Sequence, residues 1–286
     1  MIPDIDNFIN SIGGSRSTLE GYRYILLRLS KWIDTNPIDL PPTATYILSF
    51  IYAQNWGNAL SVKSLSVIKS YINFTYNIIL SVRIKKEESP PQRTLSRQQC
   101  LALLTSIDLS TPKGKRDIAI ITLALDTGLR NSEICNAQLE KTNLSGLYLS
   151  AKVKGGKWRF AHFSEITRSY LDTWIEARSQ IADTKNLFCS IGGNTPGKPI
   201  TPRGLGTIFK HLAETANLTD GLSPHDLRRT MACIGTELGA PSRVIQLAGG
   251  WSDIKLVERY TKALNSNIFS TTYSPITALI PSTKPP

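Results

Sequence analysis

The chain has 286 residues, of which 41% are hydrophobic, and a formal net charge of +11 at pH 7. This length suits one large domain or two ordinary ones, and the apolar content is enough to bury a core. No apolar run is long enough to span a membrane, so we expect no membrane partner. MIPDIDNFIN lacks an apolar signal-peptide core, so we do not expect secretion. The basic excess favours a polyanionic partner, and nucleic acid is the leading candidate.

The first part of the chain predicts a small helical module. Apolar residues recur at helical spacing over 18–34, where Thr18 is the expected N-cap. Further helices are predicted near 43–56 and 61–80. The segment RIKKEESPPQR, residues 83–93, is charged, contains a double proline and shows no apolar period, which is typical of an interdomain linker.

The second part mixes helices with one β-hairpin. Ser96 is the expected N-cap of a helix over LSRQQCLALLTSI, and Gly128 should end the apolar helix KRDIAIITLALDTG. Residues 147–163 are rich in strand formers on either side of Gly155-Gly156 and predict a small antiparallel hairpin. Helices are again predicted near 164–180, 201–216, 224–239 and 241–249.

These elements predict a mainly α fold with one small antiparallel β-sheet. We place a helical domain at 1–84, a linker at 85–95 and a second, mostly helical domain at 96–264. Residues 265–286 are rich in Ser, Thr, Pro and Asn and predict a partly ordered tail. The four cysteines form no C-x-x-C pair, which argues against zinc and disulfides and favours buried free thiols in a reducing cytosol.

Two segments carry charges that could act on an anion. In DTGLRNSEI, Arg130 and Glu133 follow an apolar helix, either as a solvated charge pair or as a guanidinium that a carboxylate aims at an anion. In KVKGGKWRF, Lys154 lies at the hairpin tip. A lysine there either only solubilises the tip, or reaches a DNA groove or delivers a proton.

Two further segments lie towards the C-terminus. SPHDLRRTMA places His225 and Arg228 three residues apart on one helix face, where they form a surface coincidence or bracket a phosphate. LAGGWSDIKLVERYTKAL contains Trp251 and Tyr260. Tyr260 could anchor a helix to a core or act as a nucleophile. The other histidines lack ligand spacing to His225, so we expect no metal site.

Together these residues suit one kind of chemistry. They include no carboxylate pair, which argues against a two-metal nuclease, and no Walker loop. What remains suits attack on a phosphodiester by a tyrosine, with two arginines gripping the non-bridging oxygens and a lysine protonating the departing 5′ oxygen. A phosphotyrosine ester retains the bond energy, so we expect no cofactor, metal or ATP.

The order Arg…Lys…His-x-x-Arg…Trp…Tyr resembles the tyrosine recombinases, also called the phage integrase family, of the Cre and XerC/XerD type. The resemblance spans nearly the whole chain and is strongest over 126–262. LAGGW resembles the Cre version of its motif, which implies an orienting role for a tryptophan where many relatives have histidine. The resemblance implies these catalytic residues, with Glu133 in support: Arg130, Lys154, His225, Arg228, Trp251 and Tyr260.

The resemblance also implies the fold and the partners. It implies a core-binding domain at 1–84 and a catalytic domain at 96–264 that grip double-stranded DNA. The implied activity is site-specific recombination or integration through a 3′-phosphotyrosine, by a homo-tetramer on DNA in the cytoplasm at the nucleoid. Accessory DNA-bending or directionality proteins are further candidate partners. Helices near 61–80 and 201–216 are the expected readers, and candidate DNA contacts are Lys157, Arg159, Arg203, Lys210 and Arg229.

Two alternatives stay open at this level. A type IB topoisomerase would use similar residues to relax DNA without a partner duplex, although the small helical N-terminal module favours a recombinase. A non-catalytic DNA-binding relative would have lost cleavage, and the complete residue set argues against it.

Overall fold

The computed structural model describes residues 3–87, 93–153 and 156–261, without the side chains of 259–261. The chain divides into two compact units, Met1–Pro90 and Pro91–Pro286. The predicted mainly α fold with one small antiparallel sheet is confirmed.

Within its described residues, the first unit contains four helices around one apolar core: α1 (Ile5–Ser11), α2 (Arg16–Thr35), α3 (Ala44–Ala53) and α4 (Asn58–Tyr76). The predicted N-cap at Thr18 is wrong. The Ser15 hydroxyl accepts the Thr18 N–H, so the helix already begins at Arg16. The sequence did not indicate α1, because seven residues are too few to display an apolar period.

In its described residues the second unit contains the remaining α-helices and strands: α5 (Arg97–Thr105), α6 (Pro112–Thr127), α7 (Asn131–Cys135), β1 (Thr142–Asn143), β2 (Tyr148–Lys152), β3 (Trp158–His162), α8 (Glu165–Ser179), α9 (Pro202–Thr215), α10 (Pro224–Glu237), α11 (Ser242–Gly249) and α12 (Ile254–Thr261). The strands are antiparallel in the order β1-β2-β3. Tyr148 pairs with His162 and Lys152 pairs with Trp158, so the predicted hairpin is confirmed. The two-residue β1 is too short to leave a sequence pattern.

Helix α6 is the centre of the second core. Most of its residues are buried, and it packs against α8 and α10. The predicted stop at Gly128 is confirmed: this residue has φ 58° and donates its N–H to the Ala124 carbonyl. The predicted cap at Ser96 is confirmed as well, and Gln99 completes a capping box there. The stop at Gly128 sets where the following residues, including Arg130, leave the core.

In the described parts of the chain, no helix is both long and apolar enough to cross a lipid bilayer. The cysteines Cys100, Cys135, Cys189 and Cys233 are all free and buried, as the sequence predicted. Burial raises the pKa of Cys100 and of Cys135 to about 11.

Alanine substitutions at Gly114 and Gly206 should have opposite effects on stability. Both lie inside helices, where glycine costs about 0.5–1 kcal/mol relative to alanine. A Cβ on Gly114 would lie 1.8 Å from the Asp108 carbonyl oxygen, whereas a Cβ on Gly206 would meet nothing within 4 Å. We expect Gly114→Ala to lower the free energy of unfolding by about 1–3 kcal/mol. Gly206→Ala should raise it by up to about 1 kcal/mol.

Urea unfolding followed by circular dichroism measures both variants. A stabilising Gly114→Ala would contradict the packing of the α5–α6 turn against the first turn of α6.

Candidate active site

Arg130 and Glu133 form a pair at the start of α7. One Glu133 carboxylate oxygen accepts the Arg130 backbone N–H at 3.0 Å, and the other accepts from Arg130 Nη1 at 2.6 Å. The Glu133 side chain is only 2% exposed, whereas that of Arg130 is 35% exposed. A buried carboxylate therefore positions a partly exposed guanidinium. This excludes the solvated charge pair, which was one of the two interpretations of the sequence.

Arg228 is a buried arginine on α10, with 1% of its surface exposed. Its Nη1 donates to the Gly128 carbonyl and, at 2.6 Å, to the Gly249 carbonyl. The guanidinium carbon lies 4.1 Å from the centroid of the Trp251 ring, which is within the range of a cation–π contact. The edge of the guanidinium is thus fixed by carbonyls and its face by the indole.

Arg159 on β3 is largely buried as well. Its Nη1 donates to the Ala248 carbonyl at 2.8 Å, and its Nη2 donates to the Thr127 carbonyl at 3.1 Å and lies 3.6 Å from Glu133 Oε2. Burial lowers the pKa of Arg159, while the charge of Glu133 opposes that shift. Because these donors are used within the protein, the structure favours a positioning role over the predicted DNA contact.

The end of α11 brings the three arginines together. Arg159 and Arg228 bind the carbonyls of Ala248 and Gly249, and Arg130 Nη2 lies 3.4 Å from the carbonyl oxygen of Gly250. The last carbonyls of a helix have no partner within it and carry partial negative charge. Guanidinium groups from three separate elements therefore converge on consecutive residues.

His225 lies on the exposed side of the first turn of α10. Partial burial lowers the pKa of His225, and the positive charges of Arg229 and Arg228 lower it further, against the opposing charge of Asp226. Arg229 donates to Asp226 at 3.2 Å, and its side chain is only 15% exposed. The predicted DNA contact at Arg229 is therefore not favoured. The positive charge of Arg229 instead lowers the pKa of the His225 imidazole.

Gln246 is a supporting residue that the sequence did not indicate. It is buried on α11, and its side-chain amide donates to the Trp251 carbonyl at 3.1 Å. The Trp251 N–H in turn donates to the Gln246 carbonyl at 3.0 Å. A buried glutamine in an amphipathic helix leaves no distinctive pattern, so only the contact reveals its role.

The remaining predicted residues lie away from this cluster or outside the residues that the structure describes. Tyr260 falls in the last turn of α12, which packs on α10 and α11, but its side chain is outside the described residues. Lys154 lies wholly outside them. Lys157 is exposed just before β3, and Arg203 and Lys210 are exposed on α9. The predicted residues that the structure brings into one hydrogen-bonded and charged cluster are Arg130, Glu133, Arg159, His225, Arg228, Arg229 and Trp251.

The cluster has an excess of positive charge. Four arginines (Arg130, Arg159, Arg228 and Arg229) face two carboxylates (Glu133 and Asp226). Such preorganised donors suit an anion, and above all a phosphate group. In the described ranges there is no group of three or more His, Cys, Asp or Glu side chains that could hold a metal ion.

The charges around His225 give a prediction about its titration. We expect a pKa below 6.5, which Arg229→Gln should raise because it removes the positive charge that lowers this pKa most. Since the folded state binds the proton less readily than the unfolded chain, the stability contributed by this group falls as the pH drops from 6.5 towards the folded-state pKa.

Imidazole NMR signals followed against pH measure this midpoint, with Arg203→Gln on α9 as the matched charge-removal control. A midpoint above 6.5, or one that Arg229→Gln leaves in place, would contradict this electrostatic account.

The chain has clear relatives. The model of the phage integrase family matches residues 93–267. Tyrosine recombinase XerD of Staphylococcus saprophyticus is 30% identical over 271 residues, covering 91% of this chain and 90% of the relative. Tyrosine recombinase XerC of Staphylococcus haemolyticus is 28% identical over 267 residues and covers 89% of both chains.

Solved structures share the fold. A XerH site-specific recombinase bound to a palindromic difH substrate, in a post-cleavage complex, superposes with a TM-score of 0.75 at 19% identity, over 88% of this chain and 78% of that one. The Tn1549 transposon integrase in complex with transposon right end DNA gives a TM-score of 0.71 at 14% identity, over 96% and 98%. The family model, the curated relatives and the residues gathered at the end of α11 agree: this chain belongs to the phage integrase family, the tyrosine recombinases.

Proposed function

We propose that this tyrosine recombinase performs site-specific DNA strand exchange with Tyr260 as the nucleophile. The observation that carries the proposal is the convergence of Arg130 and Arg228 on the carbonyls of Gly250 and Gly249. The Arg130 guanidinium is partly exposed, and the Arg228 guanidinium is buried and held by two carbonyls. Together they form a preorganised site for a phosphodiester. Tyr260 lies on α12, the helix that follows this site in the chain and packs on α10 and α11.

In the proposed reaction the phenolic oxygen of Tyr260 forms a bond to phosphorus as the bond from phosphorus to the 5′ oxygen breaks. His225, which is neutral at pH 7 because its pKa is lowered, accepts the phenol proton. Lys154 gives a proton to the departing 5′ oxygen. The products are a 3′-phosphotyrosine and a free 5′-hydroxyl, and attack by a partner strand's hydroxyl reverses the step. The arginines stabilise the added charge of the pentacoordinate state.

Double-stranded DNA is the proposed substrate, and each compact unit offers a helix for it. In the first unit α4 exposes small polar residues and a lysine at helical spacing: Lys63, Ser66, Ser70 and Asn73. In the second unit α9 exposes Arg203, Thr207 and Lys210 along one side. Short polar side chains and basic groups on a helix suit contacts with base edges and phosphates in a major groove.

We propose the domain limits as they follow from the sequence, with DNA-binding residues 1–84, linker 85–95, catalytic residues 96–264 and tail 265–286. Strand exchange between two duplexes needs four cleavage events, which supports a homo-tetramer with cyclic contacts. Because the proposed substrate is DNA, we expect the protein to act in the cytoplasm at the nucleoid. Accessory DNA-bending or directionality proteins stay predictions.

A covalent adduct tests the nucleophile. The target site is first recovered by selecting bound fragments of host DNA, and a suicide substrate nicked near that site traps the intermediate. We expect Tyr260→Phe to abolish the adduct and leave DNA affinity nearly unchanged, because only the attacking oxygen is lost. Tyr273, in STTYSP of the predicted tail, is the neighbouring tyrosine along the sequence. Tyr273→Phe is therefore the matched control and should retain the adduct, and EDTA should not stop the reaction.

An adduct that survives Tyr260→Phe would refute the assigned nucleophile. Relaxation of a plasmid without a target site would favour the type IB topoisomerase alternative. Specific binding without any adduct would favour a non-catalytic DNA-binding relative.

Charge-removing variants separate DNA contacts from positioning residues. Arg203→Gln and Lys210→Gln should each weaken DNA binding and reduce the slope of log K against log salt by about 1, because each removes one phosphate contact. Arg159→Gln should leave that slope unchanged, since its donors bind carbonyls in the protein. It should instead slow adduct formation by about 10²-fold through misplacement of its neighbours.

Filter binding over a salt series and single-turnover cleavage give the two quantities. Arg159→Lys should recover part of the rate because it keeps one charged donor. A reduced salt slope in Arg159→Gln would restore the DNA-contact assignment made from the sequence.

A further inference from the structure

Gly249, the last residue of α11, leaves room for another side chain. A Cβ added there would lie 1.9 Å from Cζ3, 2.4 Å from Cε3 and 2.6 Å from Cη2 of Trp251. These distances are far inside van der Waals contact, so the six-membered ring of the indole fills the space that any side chain at 249 would take. Gly250 is different, because it adopts φ 65°, a conformation that favours glycine by itself.

The indole cannot easily move away. Trp251 is 5% exposed, and its backbone is tied to Gln246 through hydrogen bonds in both directions, at 3.0 and 3.1 Å. Arg228 also contacts the ring, since its guanidinium carbon lies 4.1 Å from the ring centroid. A side chain at 249 would therefore displace the ring relative to a guanidinium that is itself bonded to the carbonyls of Gly128 and Gly249.

We propose that Gly249 is a positioning residue for Arg228. By having no side chain, it lets the ring of Trp251 lie against the end of α11 and contact the guanidinium of Arg228. The residue at 249 thus determines how large a ring position 251 can carry. The effect on catalysis rests on the proposed function, in which Arg228 grips the scissile phosphate, whereas the packing of the two residues does not.

The proposal predicts a coupling with a definite sign. Alanine is normally more favourable than glycine in a helix, yet Gly249→Ala should slow adduct formation by about 10²-fold because it displaces the ring and with it Arg228. Trp251→His removes Cζ3, Cε3 and Cη2, the atoms in conflict. In the Trp251→His background, Gly249→Ala should therefore change the rate little. The double variant should be faster than Gly249→Ala alone.

The experiment is a double-mutant cycle on the full chain, read in two ways. Single-turnover adduct formation on the suicide substrate gives the catalytic coupling. Urea unfolding of the same four proteins gives the packing coupling without requiring any cleavage. Gly235→Ala on α10 is the control for adding a methyl group to a nearby helix, since its Cβ would meet Ile245 at an ordinary 3.5 Å.

If the wild-type protein forms no adduct, the proposed function fails, and the unfolding cycle alone still decides whether Gly249 and Trp251 are coupled. Gly249→Ala effects that are equal in the two backgrounds, in both readouts, would overturn the proposal. Coupling in unfolding without coupling in the cleavage rate of an active enzyme would also overturn it, because Gly249 would then be only a packing residue.

Discussion

The site depends on one constraint, the carbonyl groups at the C-terminal end of α11 that have no partner within the helix. A helix end leaves these groups without partners and with partial negative charge, so it attracts cations. Here Ala248, Gly249 and Gly250 lie opposite arginines from β3, from α10 and from the start of α7. Elements that are far apart in the chain are thus held at one point. The two glycines permit this approach, because a Cβ on either would overlap a neighbouring side chain.

The same contacts explain why positive charges can be concentrated there. Arginines placed side by side repel one another, and burial adds a desolvation cost unless every guanidinium is bonded. Glu133 bonds Arg130 and lies near Arg159, carbonyls satisfy edge donors, and the Trp251 ring covers the face of Arg228. Donors fixed in this way need little reorganisation when an anion binds. We infer that rigidity and phosphate affinity have a common origin in this network.

The burial and the positive charges around His225 also favour the neutral form of its imidazole. His225 stands at the exposed side of α10, where partial burial and neighbouring arginines lower the pKa of its imidazole. A neutral histidine beside cationic groups can accept a proton while the arginines keep their charge. The positive field therefore serves two purposes, since it favours a phosphate and holds the proposed proton acceptor in its uncharged form.

The sequence alone determined the features that depend on residues close together in the chain. Apolar spacing located most of the helices, Ser96 and Gly128 marked a helix start and a helix end, and the ordered motifs named the residues of the cluster. The tertiary structure decided which guanidinium groups are exposed and which are hydrogen-bonded within the protein. It therefore does not favour Arg159 as a DNA contact. The reason is physical: Arg159 finds its carbonyl partner 89 residues away, and no local pattern records a contact across that separation. Likewise, only the folded chain places the Trp251 ring in the space beside Gly249.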